Sequence, residues 1–138
     1  MKAKVTNTMA GKNYEKAIEN AMEKTLVEAG VMIEGDAVLL ANFNKGYQTG
    51  RTKGSITWAT NKERSRVSGE AKSGDGVSRP SRPDTLYVGT NVEYAPHLEY
   101  GTVKMSAQPF LRPAFDGRKS DIMRMGLKEV DKGLKRGK

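Results

Sequence analysis

NYEKAIENAMEKTLVEAGVMIEGDAVLLANF, residues 13–43, is the stretch from which the fold is read. Ile18, Met22, Leu26, Ala29, Ile33, Ala37 and Leu40 recur in steps of three and four, the interval that brings side chains to one face of an α-helix. Asn13 precedes the pattern as an N-cap, and Glu15 stands in the first turn, where a carboxylate meets the positive end of the helix dipole. Unbroken over 13–43, the helix would be about 45 Å long at about 1.5 Å per residue, so that part of it projects beyond a small core. Gly30 and Gly35 each weaken the interior by about 1 kcal/mol relative to Ala, which makes a break near them the competing expectation.

Before this stretch, residues 1–12 form a polar arm expected to fray, as chain ends do, or to be ordered only by a neighbour. After it, 44–55 is rich in glycine and polar residues and predicts a loop. Ile56 and Trp58 alternate with Thr57 and Ala59, a strand with one buried face, and 67–71 is a candidate partner across a short turn. KSGDGVSRPSRPD (72–84) has two prolines, two glycines and no periodicity, and predicts a long exposed loop of the kind that is functional or disordered. Leu86 and Val88, flanking Tyr87, mark the clearest strand. Residues 91–102 predict a short helical turn, with Pro96 at its first position and Gly101 just past its end. SAQP (106–109) opens another helix, which Pro113 kinks or restarts. Met123, Leu127, Val130 and Leu134 then give a closing helix that packs on the sheet or on the first helix. The order predicts a single α+β domain over 1–138: a long N-terminal helix, a small antiparallel sheet of three to four strands, a short helical turn and a C-terminal helix packed on the sheet.

Composition narrows the chemistry. Among 138 residues there is no cysteine, which excludes disulfides, a thiolate nucleophile and Cys-containing zinc clusters. No apolar run approaches the roughly 18 residues of a membrane span, and residues 1–10 lack the apolar core of a secretory signal, so a soluble, cytosolic chain is expected. The net charge of +8 is unevenly placed. Residues 44–82 carry 9 basic and 3 acidic side chains and 118–138 carry 8 and 3, while the remaining segments are slightly acidic. Such a surface attracts nucleic acid or an acidic protein face, or simply solvates mobile segments.

His97 is the only histidine, so multi-His metal sites are excluded and any Ser-His-Asp triad depends on it; a surface position is expected. No Gly-x-Ser-x-Gly elbow is present. Glu93 and Glu99 are six apart among tyrosines, a spacing suited to hydrogen bonding or ion pairing more than to acid–base work. Gly46, Gly50 and Gly54 recur every four residues, but the segment 50–55 lacks the Gly-Lys-Ser/Thr ending of a phosphate loop and reads as a flexible turn. No catalytic residue, cofactor or metal site is expected. Tyr47 and Trp58 are the only aromatics beside the basic loops, so the stacking platform of single-strand binders is missing, as are zinc-finger and helix-turn-helix signatures. Sequence-blind phosphate contact, or partner docking, by Arg51, Lys53, Arg64, Arg66, Lys72, Arg79 and Arg82 stays open.

The most distinctive stretches are VGTNVEYAPHLEYGT (88–102) and QPFLRPA (108–114). Physically, Tyr94, Leu98 and Tyr100 lie at spacings that cover the sheet end, and Gly101 lets the chain reverse. Glu99 would bond backbone donors or Arg112, and Pro109, Phe110 and Leu111 would wedge the last helix into the core. A strand ending at Gly89, then Tyr94-Ala95, Glu99-Tyr100-Gly101-Thr102, Gln108-Pro109-Phe110-Leu111 and Pro113, resembles the head-tail joining, or tail-completion, proteins of long-tailed bacteriophages and prophages. TGRTKGSI (49–56), with Thr49, Gly50, Ser55 and Ile56, is similar to that family's Thr-Gly-x-Leu-x-x-Ser-Ile segment, with Thr52 where Leu is usual. The resemblance implies a structural, non-enzymatic virion protein of the neck, assembled in the host cytoplasm as a homo-oligomeric ring, sixfold, between head connector and tail tube. Its partners would be copies of itself, a connector or stopper, and a tail terminator or tube protein, with genomic DNA in the lumen and no membrane. The motif residues would be mainly structural, and the 72–84 loop would order on docking. The alternatives are a tail terminator and a stand-alone, non-specific nucleic-acid-binding protein.

Overall fold

A computed structural model describes residues 2–6, 15–41 and 49–136. The predicted N-cap Asn13, the rest of the arm over 7–12, and residues 42–48, with Gly46 and Tyr47, lie outside them. In chain order the elements are β1 (Lys2–Thr6), α1 (Glu15–Leu40), α2 (Thr49–Ser55), β2 (Thr57–Ala59), β3 (Thr85–Gly89), α3 (Ala95–Tyr100) and α4 (Leu111–Arg136). The α+β architecture read from the sequence holds, with a long first helix, a three-stranded antiparallel sheet, and a C-terminal helix that runs along α1 and reaches the sheet at β1.

Helix α1 is unbroken through both glycines. Gly30 is where the sheet presses closest: a Cβ there would lie 2.7 Å from Trp58 Cγ, whereas one at Gly35 would meet nothing within 4 Å. The stripe from Ile18 to Ala37 is buried as expected, but Leu40 is 46% exposed and Ala41 takes the core position at 0%. There the helix ends, and the Ala41 amide donates to the carbonyls of Ala37 and Val38, carrying the next residue inward.

Helix α4 lies antiparallel to α1, as two ion pairs show. Arg118 grips Asp36 through two bonds of 2.6 and 3.1 Å, and Lys24 meets Glu129 at 3.4 Å. The predicted stripe on this helix holds at Val130, which is buried with Leu134 packed against its cluster, and fails at Met123 and Leu127, which are 69% and 66% exposed. Toward the start of the helix Leu111 and Ala114 are buried and Ile122 is partly covered, because small residues set the contact. A Cβ at Gly133 would come within 3.0 Å of the Ala17 carbonyl oxygen, a closeness that apolar periodicity does not register. The predicted helix start at 106–109 is likewise displaced to Leu111, and Pro113 falls in the first turn, where its missing N–H costs nothing and no kink forms. The basic tail is helical through Arg136.

The sheet has the order β1-β3-β2, with registers running from Lys2↔Gly89 to Thr6↔Thr85 and from Thr57↔Gly89 to Ala59↔Tyr87. The expected frayed arm is therefore, over 2–6, an edge strand held by backbone pairing that composition does not reveal. The expected partner strand at 67–71 does not form. Gly69 adopts φ +56°, and the Ser68 amide donates to the Gly54 carbonyl at 2.9 Å, turning the segment onto α2. The expected loop over 49–55 is the helix α2, and Gly54 serves contact more than flexibility, since a Cβ there would sit 1.9 Å from the Ser68 oxygen. All three residues of β2 are buried, against the single face expected. Trp58, Leu86 and Val88 join Leu26, Ile33 and Phe110 in the core, while Thr57 lies beneath the segment leading to β3.

No helix among the described residues is long and apolar enough to cross a membrane.

The two helix glycines give a paired test. Gly35→Ala should raise the urea midpoint by a stabilisation of about 1 kcal/mol, whereas Gly30→Ala, gaining the same helix propensity, should lower it by about 1–3 kcal/mol through overpacking on Trp58.

Candidate functional site

The motif residues that suggested an identity converge on one corner. At its centre the buried Glu99 carboxylate accepts hydrogen bonds from the backbone amides of Phe110 (2.9 Å), Leu111 (2.9 Å) and Arg112 (2.8 Å). These are donors that the start of α4 leaves without helical partners. A carboxylate from α3 thus caps α4 where the helix dipole favours negative charge. Of the two expectations for Glu99, the backbone donors hold. Arg112 instead places its guanidinium 5.2 Å from the Tyr100 ring centroid.

The chain reaches this geometry through Gly101, whose φ of +78° suits glycine and whose Cβ would lie 2.8 Å from the Ala107 nitrogen. Thr102 and Met105 then bond each other's backbones, and the Gln108 amide donates to the Leu98 carbonyl at 2.7 Å. The hairpin holds Val103 and Lys104 at an exposed tip. Phe110 and Leu111 wedge into the core as expected, with Ala95 and Leu98 beside them, but Pro109 and Tyr100 are exposed. Tyr100, at 60% exposure, does not cover the sheet end; Tyr94 packs partly against the core.

A second cluster braces the first. Ser55 Oγ donates to the Thr52 carbonyl and shares a 2.6 Å hydrogen bond with Thr90 Oγ1, and the fully buried Thr52 donates to Tyr94 Oη. The hydroxyl of Thr52, where the resembling family has Leu, is therefore used. Ile56 lies in the core, Gly89 ends β3 opposite both neighbours, and Thr49 and Gly50 open α2, Gly50 against Glu70.

The 72–84 segment is a largely exposed loop as expected, but one anchored at Asp75 and Val77. Asp75 is buried and accepts hydrogen bonds from Arg51 Nε and Nη2, each at 2.9 Å, while the Lys72 amide donates to it at 2.8 Å. The Arg51 guanidinium, then the Lys72 amide, hold the Asp75 carboxyl down to about 2. Val77 is buried too, its amide bonded to Thr57 Oγ1. Sequence reading missed Asp75; the available signal was an aspartate between glycines in a basic stretch, the composition of a side-chain-closed turn.

Arg51 is thus committed internally and drops out of the phosphate-contact set, and Lys53 is half-buried at the end of α2. Arg64, Arg66, Lys72, Arg79 and Arg82 are exposed, Arg82 beside Asp84 at 3.4 Å. His97 and Glu93 are exposed while both Glu99 oxygens are occupied, so no carboxylate pair is assembled. Among the described residues no group of three acidic or histidine side chains is arranged to hold a metal ion. Comparison with models of protein families, with curated proteins and with solved structures finds no match.

Two predictions follow from the bonding. Glu99→Ala should cost about 3 kcal/mol in chemical denaturation by stranding the start of α4, and Glu99→Gln, which keeps one acceptor oxygen, should cost about half of that. Because Asp75 is held below its ordinary value when folded, its stabilisation is complete above about pH 4 and is lost as pH falls toward 2; Asp36, lowered by Arg118, adds in the same sense. In acid titrations of stability, Asp75→Asn should flatten the slope across that window.

Proposed function

We propose that the chain is a structural subunit of the neck of a long-tailed bacteriophage, a tail-completion or head-tail joining protein that forms a ring, sixfold, between head connector and tail tube. The observation that carries this reading is the corner itself. Stretches 88–102 and 108–114, which resemble that family, meet through Glu99, Gly101 and Phe110 in a single hydrogen-bonded junction. The motif residues are then structural, and the contacts belong to the surface they hold in position.

That surface supports an assembly role. Val31 and Leu39 on α1, Met123 and Leu127 on α4, and Tyr100 and Val103 at the tip are large apolar side chains left exposed. Contiguous exposed apolar surface marks sites of association, and Met123 with Leu127, one turn apart on α4, and Tyr100 with Val103 at the tip are close enough in the chain to supply it. Ring closure needs two different faces per subunit, which the tip and the helical layer offer. The reading assigns no reaction to the protein. Its neighbours are further copies, a connector or stopper, and a terminator or tube protein, and it acts in the virion.

Native mass spectrometry and negative-stain imaging test this. The expected species is a closed ring of six times the 15.1 kDa chain, alone or on addition of a connector, and Val103→Asp with Leu127→Glu should yield monomers of unchanged melting temperature. A chain that stays monomeric at its solubility limit, with and without connector, contradicts the reading.

A further inference from the structure

The face of the sheet turned away from the helices carries chemistry that the corner does not use. Leu86 and Val88 enter the core, so Tyr87 projects to the opposite face. Lys2 shares that face, its ammonium 3.9 Å from the Tyr87 ring centroid and 3.4 Å from Ser78 Oγ. Lys4, opposite Tyr87 in the register and two residues from Lys2, lies on the same face. The 76–80 segment roofs the β2 side, where a Cβ on Gly76 would come within 3.2 Å of Thr57 Oγ1, and leaves the β1 side open. Arg79 follows Ser78, and Arg82 borders the face through Asp84, just before β3.

We propose that this open face, built from Lys2, Lys4, Ser78, Arg79, Arg82 and Tyr87, binds the phosphate backbone of duplex nucleic acid without regard to sequence. The four cations are exposed, and Arg82 stands beside Asp84. Lys2 and Lys4 are about 6.8 Å apart along an extended strand, far enough for each to meet a different phosphate, and the Ser78 hydroxyl is a further phosphate donor. An acidic protein is the weaker fit. The exposed apolar side chains lie on α1, α4 and the 100–103 tip, none on this face, and a protein interface needs such anchors at its centre. Backbone contact alone gives binding that is blind to sequence and steep in salt. The face by itself selects a phosphate backbone; only the identification of that backbone with the packaged genome rests on the neck reading.

Fluorescence anisotropy of the full chain with two short duplexes of unrelated sequence, over a salt series, tests it. Both duplexes should bind with equal affinity, each phosphate contact adding about −0.9 to the slope of log K against log salt. Lys2→Gln, Lys4→Gln and Arg79→Gln together should weaken binding at least about tenfold at low salt and remove roughly 2 to 3 from the magnitude of that slope. Arg79→Gln with Arg82→Gln, which leaves the edge strand untouched, should remove about 2. Arg124→Gln, Lys128→Gln and Lys132→Gln, the same loss of charge taken from α4, should leave the slope unchanged. No duplex binding, an equal loss from the α4 variant, or competition by polyglutamate as effective as by duplex would each overturn the proposal. A chain that binds duplex through this face yet forms no ring would count against the neck reading alone.

Discussion

One carboxylate holds the corner on which the outer surface depends. Glu99 closes on three consecutive amides at the start of α4, and that helix in turn supplies one flank of α1 and part of the core. Capping from eleven or more residues away fixes two helices relative to each other, which a local N-cap does not do. The residues between the two ends, folded through Gly101 and the Thr102–Met105 bridge, form a tip whose position follows from the cap.

The basic loop shows the same economy of anchoring. Asp75 ties Arg51 of α2 to the segment crossing the sheet, and Ser55, Thr90, Thr52 and Tyr94 link α2, the end of β3 and the approach to α3. Polar groups removed from water must find partners, and here the hydroxyls of Ser55, Thr52 and Thr90 each bond a hydroxyl of another element. The charge that remains outside is therefore more ordered than a solvated loop would be, and its distribution differs from the linear count. Lys2 and Lys4 belong to a slightly acidic stretch of sequence but stand on the basic side of the sheet.

Much of this was legible in the sequence. The first helix, the Leu86–Val88 strand, the turn between Pro96 and Gly101 and the wedge at Phe110 follow from periodicity and from the backbone preferences of proline and glycine. The failures share a cause. Gly54 and Gly133 are glycines of close approach, which sequence alone presents as flexibility, so that periodicity reads α2 as a loop and extends the buried face of α4 to Met123 and Leu127. The edge strand at Lys2 is short and lysine-rich, and takes its form from pairing with β3 alone. At the candidate site, Glu99 was found with its donors as one of two alternatives; Asp75 was not, because its partner lies 24 residues away.

Amide hydrogen exchange at Phe110, Leu111 and Arg112 tests the central claim most directly. If Glu99 caps α4 as described, these three amides should be protected to the same degree as those of β3, and far more than the amide of Val103 at the exposed tip. Exchange at the rate of the exposed tip would contradict the account, since the start of α4 would then be open to water and the corner would not be the fixed point of the fold.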